Sequence, residues 1–536
     1  MRLTRLGTLL AAAGLAATTV PLLSATQASA TGADTYLPKS PVWQRCSPDQ
    51  PASFECATVK VPLDYRRPQG RKIDIALSRI KSQDPAKRRG IMLLNPGGPG
   101  GSGVGLAPMV HESMPKEVRD QYDLIGFDPR GVGGSSPISC RLTDAEQNFD
   151  RPYRPETFAS DVAWARTVAE KCRKQSGSVL PHITTRNAAR DMDAIRAALG
   201  EKKISYLGYS YGTYLGAVYT QMFPKRTDRF VLDSGVDPAR IWRGMIQVWA
   251  TDAEPAFARW SRWTAERNAQ YHLGATPQAV SRTFWDLVAR ADREPIEIDG
   301  MKLTGDDIRS FRAVFFYPQQ AAETVVALKA AAEGKPAPTQ LPDLVRTPAP
   351  VPAPGAASGP APVPASGPAP DNGTAVFWAV VCGDTANWPR DPERYRKDAE
   401  RDKARYPLYG DFASNIKPCA FWQPPVEAAT PMNVAAPVLT VQNEWDSQTP
   451  LSSGLGLRRA LKGSRMVTAA GGEGHGVYLF DPKSCANATV NHYLATGKLP
   501  AKDVTCRTTA PDTADRREAP VSPERQRFPL GGTNRF

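Results

Sequence analysis

The sequence lacks the patterns that mark several classes of protein. None of its eight cysteines belongs to a Cys-x-x-Cys pair, and no histidine stands at metal-ligand spacing from a cysteine. We therefore expect no metal and no cofactor. After the first thirty residues, no apolar run is long enough to span a bilayer. The net charge is +13, but the basic residues are mixed with 54 acids and form no patch interleaved with aromatics. A nucleic-acid partner is therefore not expected.

Residues 1–30 have the pattern of a signal peptide. Arg2 and Arg5 precede an apolar run that ends at Leu23, and Ala28-Ser29-Ala30 offers small residues for a cleavage site. No cysteine follows this run to carry a lipid, and a retained single membrane anchor is the alternative. We expect a soluble, exported protein without membrane attachment after cleavage. Eight cysteines in such a chain indicate disulfides, but they allow 105 pairings, and sequence does not choose among them.

Strand and helix patterns alternate over most of the chain. Apolar segments before turns predict strands near residues 57–61, 73–80, 90–94, 122–127, 204–207, 229–233, 437–442 and 464–469. Helical spacing appears between several of them, for example over residues 158–172 and 185–199. This order predicts an α/β fold with a mainly parallel sheet covered by helices on both faces. Its core is expected from residues 31–237 and 437–536.

Residues 238–436 interrupt this alternation and predict a helical cap. Eight large apolar residues stand in helix-like segments from Trp242 to Leu287, and seven of them are tryptophan or phenylalanine. Within the cap, residues 335–370 are dominated by Pro, Ala, Gly and Ser, a composition that cannot bury enough apolar surface to fold. We interpret this stretch as a disordered surface loop of the cap. An interdomain linker is the alternative.

The strongest chemical signal is the segment Gly208-Tyr-Ser210-Tyr-Gly212. It stands between a predicted strand and a helix-compatible run that stops before Pro224. Gly-x-Ser-x-Gly in this context is typical of a nucleophile elbow, in which a tight turn raises the serine hydroxyl above the carboxyl edge of the sheet. Because the motif alone is short, its context carries the prediction that Ser210 is a catalytic nucleophile.

Two later turns supply partners for this serine. Asp446 follows one predicted strand, and His475, between two glycines, follows the next. The order Ser, Asp, His is that of α/β-hydrolases. We expect His475 to take the proton of Ser210 and to return it to the leaving group, with Asp446 orienting the imidazole. Glu444 is the rival acid, but Asp446 fits the turn after the strand better.

The glycine-rich loop at residues 95–103 has competing interpretations. Gly98-Pro-Gly100-Gly-Ser-Gly103 satisfies the dinucleotide-binding pattern, but Pro96 and Pro99 remove backbone donors that a pyrophosphate would need. We favour a loop that contributes an N–H group to an oxyanion hole, with a plain tight turn as the alternative. Downstream, Asp128 and Arg130 are expected to brace their loop by hydrogen bonds rather than to act on substrate.

With these pieces in place, the chain resembles the secreted tripeptidyl aminopeptidases of bacteria, relatives of proline iminopeptidase with the α/β-hydrolase fold. The resemblance rests on six segments in family order: Val61-Pro-Leu-Asp-Tyr65, Asn95-Pro-Gly-Gly-Pro-Gly100, Asp128-Pro-Arg-Gly-Val-Gly133, Gly208-Tyr-Ser-Tyr-Gly212, Asp446-Ser-Gln-Thr-Pro450 and Gly474-His475. Where proline iminopeptidases have His-Gly-Gly-Pro-Gly, this chain has Pro96 in place of the histidine.

The resemblance implies site residues and a substrate. The oxyanion N–H groups would belong to Gly97 and Tyr211. The free α-amine of the substrate would be read by acids of the cap, for which Asp252 and Glu254 are the candidates; acids at a helix start that face water are the alternative. The implied activity is release of tripeptides, other short peptides or single residues from oligopeptides with a free N-terminus, through an acyl-enzyme. A carboxylesterase acting on small esters and a non-catalytic surface-binding protein remain the competing functions.

Overall fold

A ten-stranded sheet forms the centre of the protein, which a computed structural model describes over residues 36–342 and 368–507. The strands are β1 (Gln44–Arg45), β2 (Glu55–Pro62), β3 (Lys72–Ile80), β4 (Gly90–Asn95), β5 (Tyr122–Phe127), β6 (Ile204–Tyr209), β7 (Thr227–Asp233), β8 (Ile296–Ile298), β9 (Met301–Leu303), β10 (Val438–Trp445), β11 (Arg465–Glu473) and β12 (Val504–Arg507). The sheet has the order β1-β2-β3-β5-β4-β6-β7-β10-β11-β12, and β8 and β9 form a separate hairpin.

The sheet changes from antiparallel to parallel along this order. The pairings β1–β2, β2–β3 and β3–β5 are antiparallel, and every pairing from β5–β4 to β11–β12 is parallel. The parallel strands β4, β5 and β6 are buried along their whole length, as expected for strands covered on both faces. Strand β2 alternates buried and exposed residues, which suits a strand with one covered face.

Helices surround the sheet and form most of the insertion between β7 and β10. They are α1 (Leu106–Ser113), α2 (Lys116–Arg119), α3 (Asp144–Gln147), α4 (Phe158–Ser176), α5 (Thr185–Ala198), α6 (Tyr211–Met222), α7 (Arg243–Ala265), α8 (Asn268–Tyr271), α9 (Pro277–Arg293), α10 (Gly305–Ser310), α11 (Pro318–Ala332), α12 (Asn372–Gly383), α13 (Pro392–Arg405), α14 (Gly410–Ser414), α15 (Leu451–Ala460) and α16 (Ala486–Thr496). Among the described residues, none of these helices is long and apolar enough to cross a membrane.

The insertion over residues 238–436 packs around two different hydrophobic cores. Its first half, from about Ala253 to Leu341, encloses its own aromatic cluster around Trp260, Phe284 and Phe315. Helix α12, by contrast, packs its Trp378 into the core that covers one face of the sheet. The hairpin β8–β9 lies inside the first half and was not expected from the sequence. Of the predicted Pro/Ala-rich loop, residues 343–367 lie outside the described residues, as does the predicted signal peptide.

Four disulfides join cysteines that are neighbours in sequence. They are Cys46–Cys56, Cys140–Cys172, Cys382–Cys419 and Cys485–Cys506. This confirms the prediction of disulfides and resolves the pairing that the sequence left open. The Cys382–Cys419 bond links α12 to the turn after α14, so it fastens the second half of the insertion. Each bond closes a loop of 10 to 37 residues and restricts the unfolded chain.

Candidate active site

The predicted nucleophile stands on a strained turn between β6 and α6. Ser210 has φ 56° and ψ −125°, a conformation that few residues other than glycine adopt. Its backbone N–H donates to the carbonyl of Asp233, 3.0 Å away. A Cβ atom at Gly212 would lie 2.7 Å from Asn95 Oδ1, so the close approach of α6 to β4 requires glycine there. This is the geometry that the Gly-x-Ser-x-Gly segment predicts for a nucleophile elbow.

Asp446 and His475 form a buried pair at the ends of β10 and β11. The Nδ1 atom of His475 lies 2.9 Å from Asp446 Oδ1 and 3.0 Å from Oδ2. The carboxylate also accepts the backbone N–H groups of Gln448 and Thr449, at 2.8 and 2.9 Å. The Asp-x-x-Thr segment therefore turns back on its own acid and fixes the carboxylate toward the imidazole.

Electrostatics in this pair favour an ionised acid beside a strong base. Burial acts to raise the pKa of Asp446, but His475 and the backbone N–H groups outweigh it and lower that pKa. Burial acts to lower the pKa of His475, but the charge and hydrogen bond of Asp446, with a smaller contribution from Asp233, raise it. The rival acid Glu444 accepts the N–H of Gly471 at 2.7 Å and is not part of this pair.

The glycine-rich loop passes directly over the elbow. A Cβ atom at Gly97 would lie 2.7 Å from Ser210 Cβ and 3.3 Å from the Tyr211 nitrogen, so only glycine fits. The N–H of Gly97 donates to Asn95 Oδ1 at 3.0 Å, and a substrate oxygen would have to share or replace this bond. The oxyanion roles of Gly97 and Tyr211 stay predictions.

Asp128 holds the same loop in place through hydrogen bonds. Its Oδ1 accepts the Ser102 hydroxyl at 2.6 Å and the Gly103 N–H at 2.9 Å, and its Oδ2 accepts the Gly134 N–H at 2.8 Å. Arg130 is buried and paired with Asp191, with Nε 2.7 Å from Oδ2. Both residues thus brace loops, as expected, and Asp128 is engaged in a way that a ribose-binding acid would not be.

The two candidate acids of the cap lie in the middle of α7, not at a helix start. Asp252 accepts the Ser452 hydroxyl at 3.2 Å, which links it to the helix that follows the Asp446 turn. Glu254 accepts the N–H of Leu408 at 2.9 Å. Burial raises the pKa of both carboxyl groups against the hydrogen bonds they accept. The alternative of acids at a helix start that face water is therefore wrong.

Other side chains of the cap contact the turns that carry Asp446 and His475. No sequence motif predicts these contacts. Trp249 Nε1 donates to the carbonyl of Gln448 at 2.7 Å, and Arg312 Nη1 donates to the carbonyl of Ser447 at 2.8 Å. Arg259 pairs with Glu473, two residues before His475. Only their aromatic or basic character in an otherwise helical segment marked them, and that signal is shared by many residues that merely pack.

Comparison with known proteins agrees with this geometry. A family model described as "alpha/beta hydrolase fold" matches residues 90–295, and one described as "TAP-like protein" matches residues 406–506. A tripeptidyl aminopeptidase of Streptomyces lividans is 37% identical over 488 residues, which cover 87% of this chain and 86% of the relative. The chain belongs to the tripeptidyl aminopeptidase family. The resemblance, the α/β-hydrolase fold and the serine-hydrolase class are thereby confirmed.

Two further relatives of this chain have different names. The serine protease Hip1 of Mycobacterium tuberculosis is 30% identical over 85% of this chain and 88% of its own length. A protein named carboxylesterase B, also of Mycobacterium tuberculosis, is 32% identical over 92% of this chain and 95% of its own length. The relatives of this chain thus include proteins named as an aminopeptidase, a serine protease and a carboxylesterase.

Proposed function

We propose that the protein is an exported serine exopeptidase that releases tripeptides, or other short N-terminal peptides, from oligopeptides with a free N-terminus. The observation that carries the proposal is the buried Asp446–His475 pair, at the same sheet edge as the strained Ser210 turn, in a chain with 37% identity to a tripeptidyl aminopeptidase. Export is supported by the leader pattern of residues 1–30 and by the four disulfides.

In this mechanism Ser210 attacks the scissile carbonyl while His475 removes its proton. Asp446 holds Nδ1 of the ring, so that Nε2 is the basic atom, and stabilises the imidazolium that forms. The N–H groups of Gly97 and Tyr211 would carry the negative charge of the tetrahedral intermediate. His475 then protonates the departing amine, which leaves an acyl-enzyme on Ser210. Water attacks this ester with the same base, and the short peptide is released.

Recognition of the free amine is assigned to the cap acids. Asp252 is the better candidate, because its carboxylate contacts Ser452, close in sequence to the Asp446 turn, and it accepts hydrogen bonds from the hydroxyl groups of Ser452 and Thr251. Glu254 already accepts a backbone N–H and feels the charge of Arg309. Asp252 likewise feels the charge of Arg240, but its donors Thr251 and Ser452 are hydroxyl groups, which can rotate to other acceptors when a substrate ammonium binds, whereas a backbone N–H cannot.

One assay tests the proposal against its main competitor. Purified mature protein is offered chromogenic tripeptide amides with free and with acetylated N-termini, together with a short-chain aryl ester. Turnover of the free-amine peptides, with much slower turnover of the acetylated ones, is the expected result. The second candidate function is a carboxylesterase, which the 32% identity to carboxylesterase B favours. Ester turnover without any amide turnover would establish it and would overturn the exopeptidase.

A further inference from the structure

Asp233 stands at the end of β7, the strand between the nucleophile strand β6 and the acid strand β10. Its side chain is completely buried. Its backbone carbonyl accepts the N–H of Ser210, and its carboxylate accepts the N–H of Tyr478 at 2.7 Å and that of Val477 at 3.1 Å. One residue therefore contacts both the nucleophile turn and the segment that directly follows His475.

The neighbouring Ser234 extends this contact by one residue. Its hydroxyl accepts the N–H of Gly476 at 2.9 Å and donates to Asp233 Oδ1 at 3.0 Å. Two consecutive side chains at the end of β7 thus hold the three consecutive N–H groups that follow His475. From the other side, Asn443 Nδ2 donates to the carbonyls of Gly474 and Gly476, at 3.0 and 3.2 Å. The loop that presents the imidazole is fastened through both its donors and its acceptors.

The carboxylate of Asp233 feels the positive charge of His475. In the part of the chain that the structure describes, no lysine or arginine forms an ion pair with it. His475 acts on the charge of Asp233, and Tyr209 feels that charge. Burial, followed by the charge of Asp233, raises the pKa of Tyr209 and keeps its phenol neutral. A buried carboxylate without a cation is costly. The imidazolium that forms during catalysis supplies one.

We propose that Asp233 is a positioning residue for His475, which fixes the histidine loop through Val477 and Tyr478 and adds a second negative charge to the field at the imidazolium. Asp446 orients the ring through Nδ1, and Asp233 acts through the backbone of the loop and through its field. The inference rests on the proposed function, because the reaction it supports is the one assigned to Ser210 and His475.

The titration of these groups agrees with this arrangement. Burial raises the pKa of Asp233 to about 7, against the hydrogen bonds from Tyr478, Ser234 and Val477. The charge of Asp233 in turn contributes to the raised pKa of His475. The charges of the two groups therefore act on each other, so their titrations are coupled. Removing the charge of Asp233 lowers the pKa of His475, which moves the acid limb of the activity profile to lower pH.

The test is the pH dependence of Asp233→Asn, measured in two ways on the folded enzyme. The first is kcat/KM for a free-amine tripeptide amide, and the second is the rate of labelling by a fluorophosphonate, which reacts with an activated serine whatever the peptide specificity. We expect the acid midpoint of both profiles to fall, together with a drop in kcat of about tenfold and little change in KM. Superimposable profiles, or a midpoint that rises, would overturn the inference.

A matched control and a second variant complete the experiment. Asp228→Asn makes the same change at the other end of β7, where the carboxylate pairs with Arg89 at 2.6 Å, and should leave both midpoints unmoved. Should Asp233→Asn fail to fold, Ser234→Ala removes only the acceptor of the Gly476 N–H, and its kcat is expected to fall at constant KM. A wild-type kcat in Ser234→Ala would contradict the proposal that the side chains at the end of β7 position the loop of His475. If the fluorophosphonate labels the wild type but no peptide is turned over, the proposed substrate is refuted. The pH profiles of labelling would still test the role of Asp233.

Discussion

The carboxyl edge of the sheet and the cap over it are built on different principles. At the sheet edge, each predicted catalytic residue follows the end of a strand, and parallel pairing of β6, β7, β10 and β11 brings those ends together. In the cap, the side chains that approach the site come from the middle of α7 and from the turn at Phe311–Phe316. The first half of the cap has a separate hydrophobic cluster, although Trp249 of α7 belongs to the core that covers one face of the sheet.

We expect the sheet edge to determine the chemical reaction and the cap to determine the substrate. Chemistry at the strand ends needs fixed distances, and a rigid sheet supplies them. Specificity needs a surface that can differ between relatives, and an insertion with its own core can change without disturbing the sheet. Peptidases and an esterase among the relatives fit that division. Changes at the sheet edge should therefore abolish turnover, whereas changes in the cap should alter selectivity.

The largest effect is expected from the nucleophile. Ser210→Ala leaves the fold and the Asp446–His475 pair in place but removes the attacking oxygen. We expect a loss of about 10³ to 10⁶ in kcat for any substrate, peptide or ester. Steady-state turnover with active-site labelling as a parallel readout measures it. Residual activity near that of the wild type, with contamination excluded by a second preparation, would contradict the assignment of Ser210.

The next effect distinguishes the two acids of the β10 turn. Asp446→Asn keeps the shape of the side chain but stabilises the wrong ring tautomer of His475, and we expect kcat to fall by about 10⁴. Glu444→Gln is the matched control, since Glu444 accepts the Gly471 N–H rather than a hydrogen bond from His475, and this substitution should change kcat less than about twofold. Comparable losses in the two variants would mean that the acid is not defined by this geometry.

The sequence was sufficient for the sheet edge because its signals are local. The strand before Ser210, the glycines around it and the turn after Asp446 each prescribe a conformation within a few residues. Because parallel strands place their carboxyl ends at the same edge of the sheet, the residues that follow these strands lie near one another. The predicted strands occur, and β2 and β3 form the expected hairpin. Strands β1 and β12 escaped prediction because two to four half-exposed residues carry no periodic signal.

The sequence was insufficient where contacts join distant segments. Nothing near Asp233 shows that its carboxylate will hold a loop 244 residues later in the chain. Likewise, the tryptophans of α7 indicate burial but not which of the two cores receives them, and Trp249 and Trp260 in fact join different cores. The alternative that Asp252 and Glu254 lie at a helix start is wrong for a similar reason, because the spacing alone does not show that α7 begins at Arg243.

A smaller effect concerns pH and again belongs to the sheet edge. The pKa of His475 is raised because Asp446, helped by Asp233, outweighs the effect of burial. Since the neutral imidazole is the active base, kcat/KM should fall as pH decreases, with a midpoint above the ordinary histidine value of about 6.5. Below this midpoint the rate should drop about tenfold per pH unit. A profile of kcat/KM between pH 4.5 and 9 measures it, and a midpoint below 6 would contradict the described pair.

The smallest effect is expected in the cap, and it tests the other half of the comparison. Asp252→Asn should raise KM for free-amine tripeptide amides by about tenfold, because one charge pair with the α-ammonium is lost, while kcat changes little. Turnover of an aryl ester, which has no amine, should be unaffected. Glu254→Gln is the matched change on the same helix. Glu254 accepts the Leu408 N–H across the cap. We therefore expect the Glu254→Gln substitution to lower thermal stability more than it raises KM. If Glu254→Gln raised KM and Asp252→Asn did not, the amine would be read by the other carboxylate, and unchanged kinetics in both variants would move recognition of the amine away from α7.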